Sequence, residues 1–270
     1  MKIILSRKGF DSEFGGTPSP IMPDGTLLSL PIPDKDDIIE YEQLQYNEKN
    51  YAQIIAELTN GKFSDKKCHL DPDIRKNVLT RSEKWRPAFG QSSGRVTHLL
   101  KENVGKDDLF LFFGWFREVE EVNGKYQYIK GSVGKHIIFG YLQVDEILQN
   151  PTKEQYAWLD MHPHLDRNSK KNAIFVARPT LSWNENKLGA DCFIYEPELV
   201  LTKIGYTRSC WKLPDCLKEV EISYHSKASW KDNYFQSTGK GQEFVISADG
   251  NKEVEKWAMN LVNIGQKSTN

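Results

Sequence analysis

The stretch from Leu109 to Gly131 constrains the fold of this chain more than any other. The run "LFLFFGWF" is apolar on both faces, so a strand built from it must be covered on both sides. Asn123-Gly124 follows at a spacing that predicts a tight hairpin turn, and "KYQYIKG" supplies the returning strand. A sheet therefore organises the chain, and the question is what the remaining residues add to it.

Further strand signals are "HIIFGYLQVDEI", "NAIFVARP", "CFIYEPELVLT", "EVEIS" and "EFVIS", with residues 2–6 as a short first strand. A helix is expected from about Ile38 to Leu58, because Tyr51, Ile54, Ile55 and Leu58 keep i, i+3, i+4, i+7 spacing and Gly61 can end it. A short helix is expected from Arg95 to about Lys101. A last one starts near Lys252, capped by Asp249 or Asn251, with Val254, Trp257, Ala258, Leu261 and Val262 on one face. Residues 62–93 read as irregular. No repeat or linker composition appears. The expectation is one α+β domain over residues 1–265, a mixed and mainly antiparallel sheet flanked by helices, with 266–270 as a polar tail.

Composition narrows the function classes. With 39% hydrophobic and 11% aromatic residues, a sizeable core is expected and global disorder is not. The 36 basic and 37 acidic residues leave a net charge of -1, which argues against non-specific coating of nucleic acid. Cys68, Cys192, Cys210 and Cys216 form no CxxC pair, as expected of free thiols in a reducing compartment. No run approaches the roughly 20 apolar residues of a membrane span. The expected location is the cytoplasm, without a membrane partner.

Four stretches carry polar groups in patterns that chemistry could use. Behind the first strand, Arg7, Lys8 and Asp11 precede Gly15-Gly16 in a loop whose backbone could approach an anionic ligand. The pattern is neither GxGxxG nor a P-loop, and the plain alternative is a proline-braced surface loop over the sheet edge. "KWRPAFGQSSGRV" offers Arg86, Gln91 and a helix N-terminus, a guanidinium and an amide suited to anions or base edges; the plain alternative is a capped helix over packed aromatics.

"DMHPHLDR" offers His162, His164, Asp166 and Arg167. Pro163 separates the two histidines in a loop and no third ligand stands nearby, so a phosphate- or substrate-contacting loop is expected rather than a metal site. "ISYHSKASWKDNYFQSTGKGQEFVIS" joins His225, Gln236, Ser237 and Thr238 to Gln242-Glu243 at the mouth of a strand. Glu243 there can orient a ribose hydroxyl or act as general base; a solvated strand-end carboxylate is the alternative. No GxSxG elbow, kinase, Walker or Rossmann signature is present.

The blocks "SRKGFDSEFGGTPSPIMPDG", "LSLPIPD", "WRPAFGQ", "LFLFFGWFR", "IFGYLQVDEI", "HPH" and "GQEFV" resemble the third nucleotide-modification-associated domain family. The resemblance runs from Met1 to about Val262, and the opening block is its most specific part. It implies a role beside systems that modify bases in phage and bacterial nucleic acid. The implied partner is a nucleotide or a nucleic-acid base, with DNA as a candidate. It assigns no residue a chemical step and names no cofactor.

Two expectations follow. In the first, the protein is an enzyme whose candidate catalytic residues are Glu243 and His225. Its candidate substrate-binding residues are Arg7, Lys8, Asp11, Arg86, Gln91, His164, Arg167, Gln236 and Gln242, with Arg7 on a phosphate. One version is ADP-ribosyl transfer, using Arg7, Ser237-Thr238 and Glu243, although Gln242-Glu243 lacks that chemistry's usual two-apart acidic or amide pair. In the second, the protein is a non-catalytic reader, with Trp115 or Tyr141 stacking on a flipped base.

Overall fold

A computed structural model describes residues 1–239, 241–248 and 250–266. Among them, nine strands form one mixed sheet: β1 (Ile3–Arg7), β2 (Ser19–Ile21), β3 (Ala88–Ser92), β4 (Leu109–Val122), β5 (Lys125–Tyr128), β6 (Lys135–Gln149), β7 (Asn172–Ala177), β8 (Ala190–Cys192) and β9 (Glu243–Ile246). The α-helices are α1 (Tyr51–Thr59), α2 (Ser93–Lys101) and α3 (Lys252–Gly265).

β4 is the spine. Its first half is buried on both faces, as its sequence requires, and it emerges into solvent only toward the hairpin with β5. Asn123 and Gly124 both take positive φ, 53° and 73°, the geometry a two-residue hairpin turn needs. β1 runs parallel to β4, whereas β6 is antiparallel to it. The strand order is β9-β1-β4-β6-β7-β3, and most of its pairings are antiparallel.

The sheet curls. The register of β6 shifts against β4 between Ile138 and Gly140, and against β7 between Val144 and Glu146, and such irregularities bend long strands. Phe89 on β3 consequently packs its ring against Phe110 and Phe112 on β4, at centroid distances of 4.9 and 5.3 Å. The two ends of the strand order are drawn toward one another, leaving a seam between β3 and the β1–β9 pair. α3 closes another side with Val254, Ala258, Leu261 and Val262, capped by the side chain of Asn251.

A second, smaller core lies beneath the segment after β1. Phe10 is buried among Tyr41, Phe63 and the α1 residues Ile54 and Ile55. Gly15 is needed here: its φ is +85°, and a Cβ would stand 2.3 Å from the Phe10 ring. The Gly/Pro loop is thus a packed lid over its own aromatic anchor.

The helix expected over 38–58 is shorter. Only Tyr51–Thr59 is helical, with the expected buried face of Tyr51, Ile54, Ile55 and Leu58. Asn50 caps it through a reciprocal pair of bonds with Gln53, while Asn47 takes a positive φ in the turn just before it. "AFGQS", read as irregular, forms β3. Of "CFIYEPELVLT" only Cys192 is in a strand, as the last residue of Ala190–Cys192, and the stretch then turns at Pro197–Leu199, where Pro197 supplies no ladder donor. "EVEIS" makes a single bridge, Ile222 to Ile246. The candidate cap Asp249 and residues 267–270 of the tail lie outside the described residues. No helix among the described residues is long and apolar enough to cross a membrane.

Candidate functional site

The seam opens into a cleft of about 180 Å³ lined by Arg7, Lys8, Gly9, Asp11, Phe14, Ile32, Asp34, His69, Asp71, Gln91, Ser92, Arg95, His164, Arg167 and Gln242. Seven candidates from four separate stretches of sequence therefore meet: Arg7, Lys8, Asp11, Gln91, His164, Arg167 and Gln242.

Glu243 lies beneath them, 1% exposed. Strand alternation explains its partners. Ser6 is paired with Glu243 across β1 and β9, so the side chains of Ser6, Lys8 and Glu243 project to one face. Glu243 Oε1 accepts from Gln91 Nε2 at 2.6 Å, from Lys8 Nζ at 3.2 Å and from Ser6 Oγ at 3.4 Å. Lys8 also approaches Asp71 Oδ2 at 3.8 Å, with its ammonium 4.3 Å from the centre of the Phe89 ring. One buried ammonium thus stands between two buried carboxylates.

Arg7 projects to the other face. Its guanidinium sits between the Phe113 and Phe244 rings and donates to the carbonyls of Thr238, at 2.7 Å, and Gly239, at 3.3 Å. Burial lowers its pKa. Arg7 reaches the cleft edge, but Lys8 is the cation that contacts Glu243. Asp11 also lines the edge, where Oδ1 accepts the Glu13 and Phe14 amides and shapes the turn. Arg95, in the first turn of α2, and Arg167 are exposed cations on the rim.

Beside Glu243 lies a histidine–carboxylate cluster. Asp71 Oδ1 accepts the Gly90 amide at 2.6 Å. Burial pushes the Asp71 carboxyl up, opposed by Lys8 and His69. His164 Nδ1 meets Asn172 Oδ1 at 2.8 Å, while Asn172 Nδ2 donates to the His164 carbonyl at 2.7 Å. Those two bonds fix the amide's orientation and place the proton on His164 Nδ1. His69 Nδ1 meets Asp37 Oδ2 at 2.6 Å, and the two Nε2 atoms of His69 and His164 face each other at 3.2 Å.

Burial, with His69 adding to it, holds the pKa of His164 well below the usual range and that of His162 at about 3. His162 is neutral at neutral pH, so its 3.8 Å approach to Asp71 is not an ion pair. Gly90 leaves no space for a side chain: a Cβ there would stand 2.3 Å from the His164 ring.

Three candidates lie elsewhere. Arg86 is bound to Asp145, Glu146 and the Ala177 carbonyl outside the cleft. His225 Nε2 accepts the Thr238 amide at 3.1 Å and its ring packs on Phe235 and Phe244, supporting the loop that holds Arg7. Gln236 bonds Ser209 in a neighbouring hollow that shares Arg7 and Asp11 with the cleft and is lined also by Trp115 and Arg208. Lys240 lies outside the described residues. Of the two candidate stacking aromatics, Tyr141 is fully buried against Phe193, and the Trp115 ring carries Arg208 at 4.3 Å.

Sequence reasoning missed His69, Asp71, Asp37 and Arg95. The available signal was His69-Leu70-Asp71, whose i, i+2 spacing puts both side chains on one side of an extended chain.

Residues 2–247 match the family described as nucleotide modification associated domain 3, and the chain belongs to that family. No curated protein and no solved structure matches it.

Proposed function

We propose that the protein is an enzyme that binds a nucleotide, or a nucleotide within DNA, in the seam cleft and acts on it beside Glu243. The family supplies the association with nucleotide modification. The observation that carries the reading is a buried carboxylate, fixed by Gln91 and Lys8, at the floor of a cleft with a cationic rim.

Each part has a use. Arg95, Arg167 and the positive end of α2 suit a phosphate, and Ser92 at that helix start makes no side-chain capping bond. Phe14 is 42% exposed at the mouth and offers a face for a base. Deeper in, Lys8, Asp71 and Glu243 are titratable groups removed from bulk water, where a proton can be held at a defined atom. Glu243 serves as the acid/base or as the carboxylate that orients a ribose hydroxyl, and Gln91 and Lys8 position it. Arg7 holds the 238–239 loop at the cleft edge.

A non-catalytic reader has no use for the buried ionic floor, and of the two aromatics expected to stack on a flipped base, Tyr141 is buried and Trp115 is covered on one face by Arg208.

The test is to incubate the purified protein with labelled nucleotides, NAD, and modified or plain DNA, comparing wild type with Glu243→Gln. Loss of turnover with binding retained is expected. Selective binding of modified DNA by both proteins, with no turnover in any arm, would establish the reader.

A further inference from the structure

We propose that His69, Asp71 and His164 bind a divalent first-row transition metal ion in the cleft, through the two histidine Nε2 atoms and the aspartate carboxylate. The proposal shares the cleft with the reading above but not its premise, because metal affinity can be measured without any nucleotide.

Geometry comes first. Asp37 Oδ2 and Asn172 Oδ1 occupy the Nδ1 atoms of His69 and His164. Nε2 is then the nitrogen each ring has left for an ion, and the two Nε2 atoms face each other across 3.2 Å. For metal–nitrogen bonds of about 2.1 Å and angles of about 90–109°, neighbouring ligand nitrogens stand about 3.0–3.4 Å apart. The observed separation falls inside that interval.

The third donor is in place. The ligand atoms of His69, Asp71 and His164 all lie within 4.8 Å of one another. Asp71 is held by the Gly90 amide, and both imidazoles are braced through Nδ1, as metal-bound histidines are. Formal charge agrees: the buried layer sets the carboxylates of Asp37, Asp71 and Glu243 against the single ammonium of Lys8.

Two imidazoles with one carboxylate favour manganese to zinc over magnesium or calcium, whose ligands are oxygen. Three protein ligands leave coordination positions open toward the cleft that the same residues line. A second grouping, Asp34, Asp37 and His69, also lies within reach of one ion. It would use His69 Nδ1, which is already bonded to Asp37.

The experiment strips the full-length protein with a chelator and titrates it with Co²⁺ and Zn²⁺ in the absence of nucleotide. It follows the visible absorption of cobalt and the stoichiometry by elemental analysis. One equivalent per chain is expected, with affinity reduced more than about a hundredfold in His69→Gln, His164→Gln and Asp71→Asn. Asp37→Asn should lose about tenfold, and Asp34→Asn should bind as wild type. X-ray absorption on wild type should show two imidazole ligands, which keeps the proposal testable should a variant misfold. Binding below a tenth of an equivalent at millimolar Co²⁺ overturns it, as does wild-type affinity in His164→Gln or a larger loss in Asp34→Asn than in Asp71→Asn. Nucleotide binding measured in chelator is judged separately, so either reading can fail alone.

Discussion

Gln91 and Glu243 stand on β3 and β9, at opposite ends of the sheet's strand order, yet Nε2 of the first donates to Oε1 of the second at 2.6 Å. That bond spans the seam of a curled sheet and defines the floor of the cleft. Strands remote in the ladder meet there, and each brings polar groups that a flat sheet would keep apart.

The ionic floor has a stability consequence. Removing Lys8 leaves the carboxylates of Glu243 and Asp71 buried without their cation, so Lys8→Met should cost about 3–5 kcal/mol. Adding Glu243→Gln removes one of those stranded charges, so the double variant should lose less than the sum of the singles. Urea denaturation of the four proteins measures the cycle, and simple additivity would show that the pair is not coupled.

Gly90→Ala tests the close approach of β3 to His164. The new Cβ would overlap the imidazole ring, forcing it from its place beside His69 at a cost of about 1–3 kcal/mol. Denaturation gives the cost, and a histidine-resolved NMR spectrum should show the His164 resonance moved. An unmoved resonance would mean that the ring does not lie against β3.

The rim should bind without stabilising. Arg95→Ala and Arg167→Ala should each change folding stability by less than about 0.5 kcal/mol, because both residues are exposed. Each should weaken nucleotide binding about tenfold and flatten its salt dependence. Phe14→Ala should weaken binding of a base by about 1 kcal/mol or more. Isothermal titration at two salt concentrations separates these effects.

A pH-linked effect is expected on the other face of the sheet. Burial, with Arg7 and Arg208 adding to it, holds His136 at about 3, and its Nδ1 accepts the Trp211 indole N–H at 3.0 Å. Below the ordinary histidine pKa of about 6.5, the unfolded chain takes up a proton that the folded chain refuses until about pH 3. The unfolded state therefore binds more protons in that window, and stability falls as pH is lowered through it. The His136 share approaches about 1.4 kcal/mol per pH unit. His136→Asn should flatten the stability slope between pH 6 and pH 4 by about that amount; equal slopes would contradict it.

Much of this architecture is legible in the residues, for reasons that also mark where legibility ends. The β4–β5 hairpin is readable because Asn123-Gly124 specifies a turn locally, and α3 because its apolar face repeats at helical spacing. The cleft is partly readable: polar residues behind β1 and before β9 suggest a site, and strand pairing brings them together. The curl is not readable, because it arises from register shifts in β6 that no short pattern encodes. Hence His69 and Asp71 could not be matched to His164 by spacing, and Arg86 and His225 looked closer to the site than they are. That Lys8 rather than Arg7 contacts Glu243 follows from the register that pairs Ser6 with Glu243, which is a long-range fact.

The most direct measurement is a crystal structure of the protein soaked with a nucleotide. Phosphates on Arg95 and Arg167, with the sugar or base within hydrogen-bonding distance of Glu243 or Lys8, are the expected result. A nucleotide seated instead in the hollow of Trp115, Arg208 and Gln236, with the seam cleft unchanged, would contradict the assignment of the site.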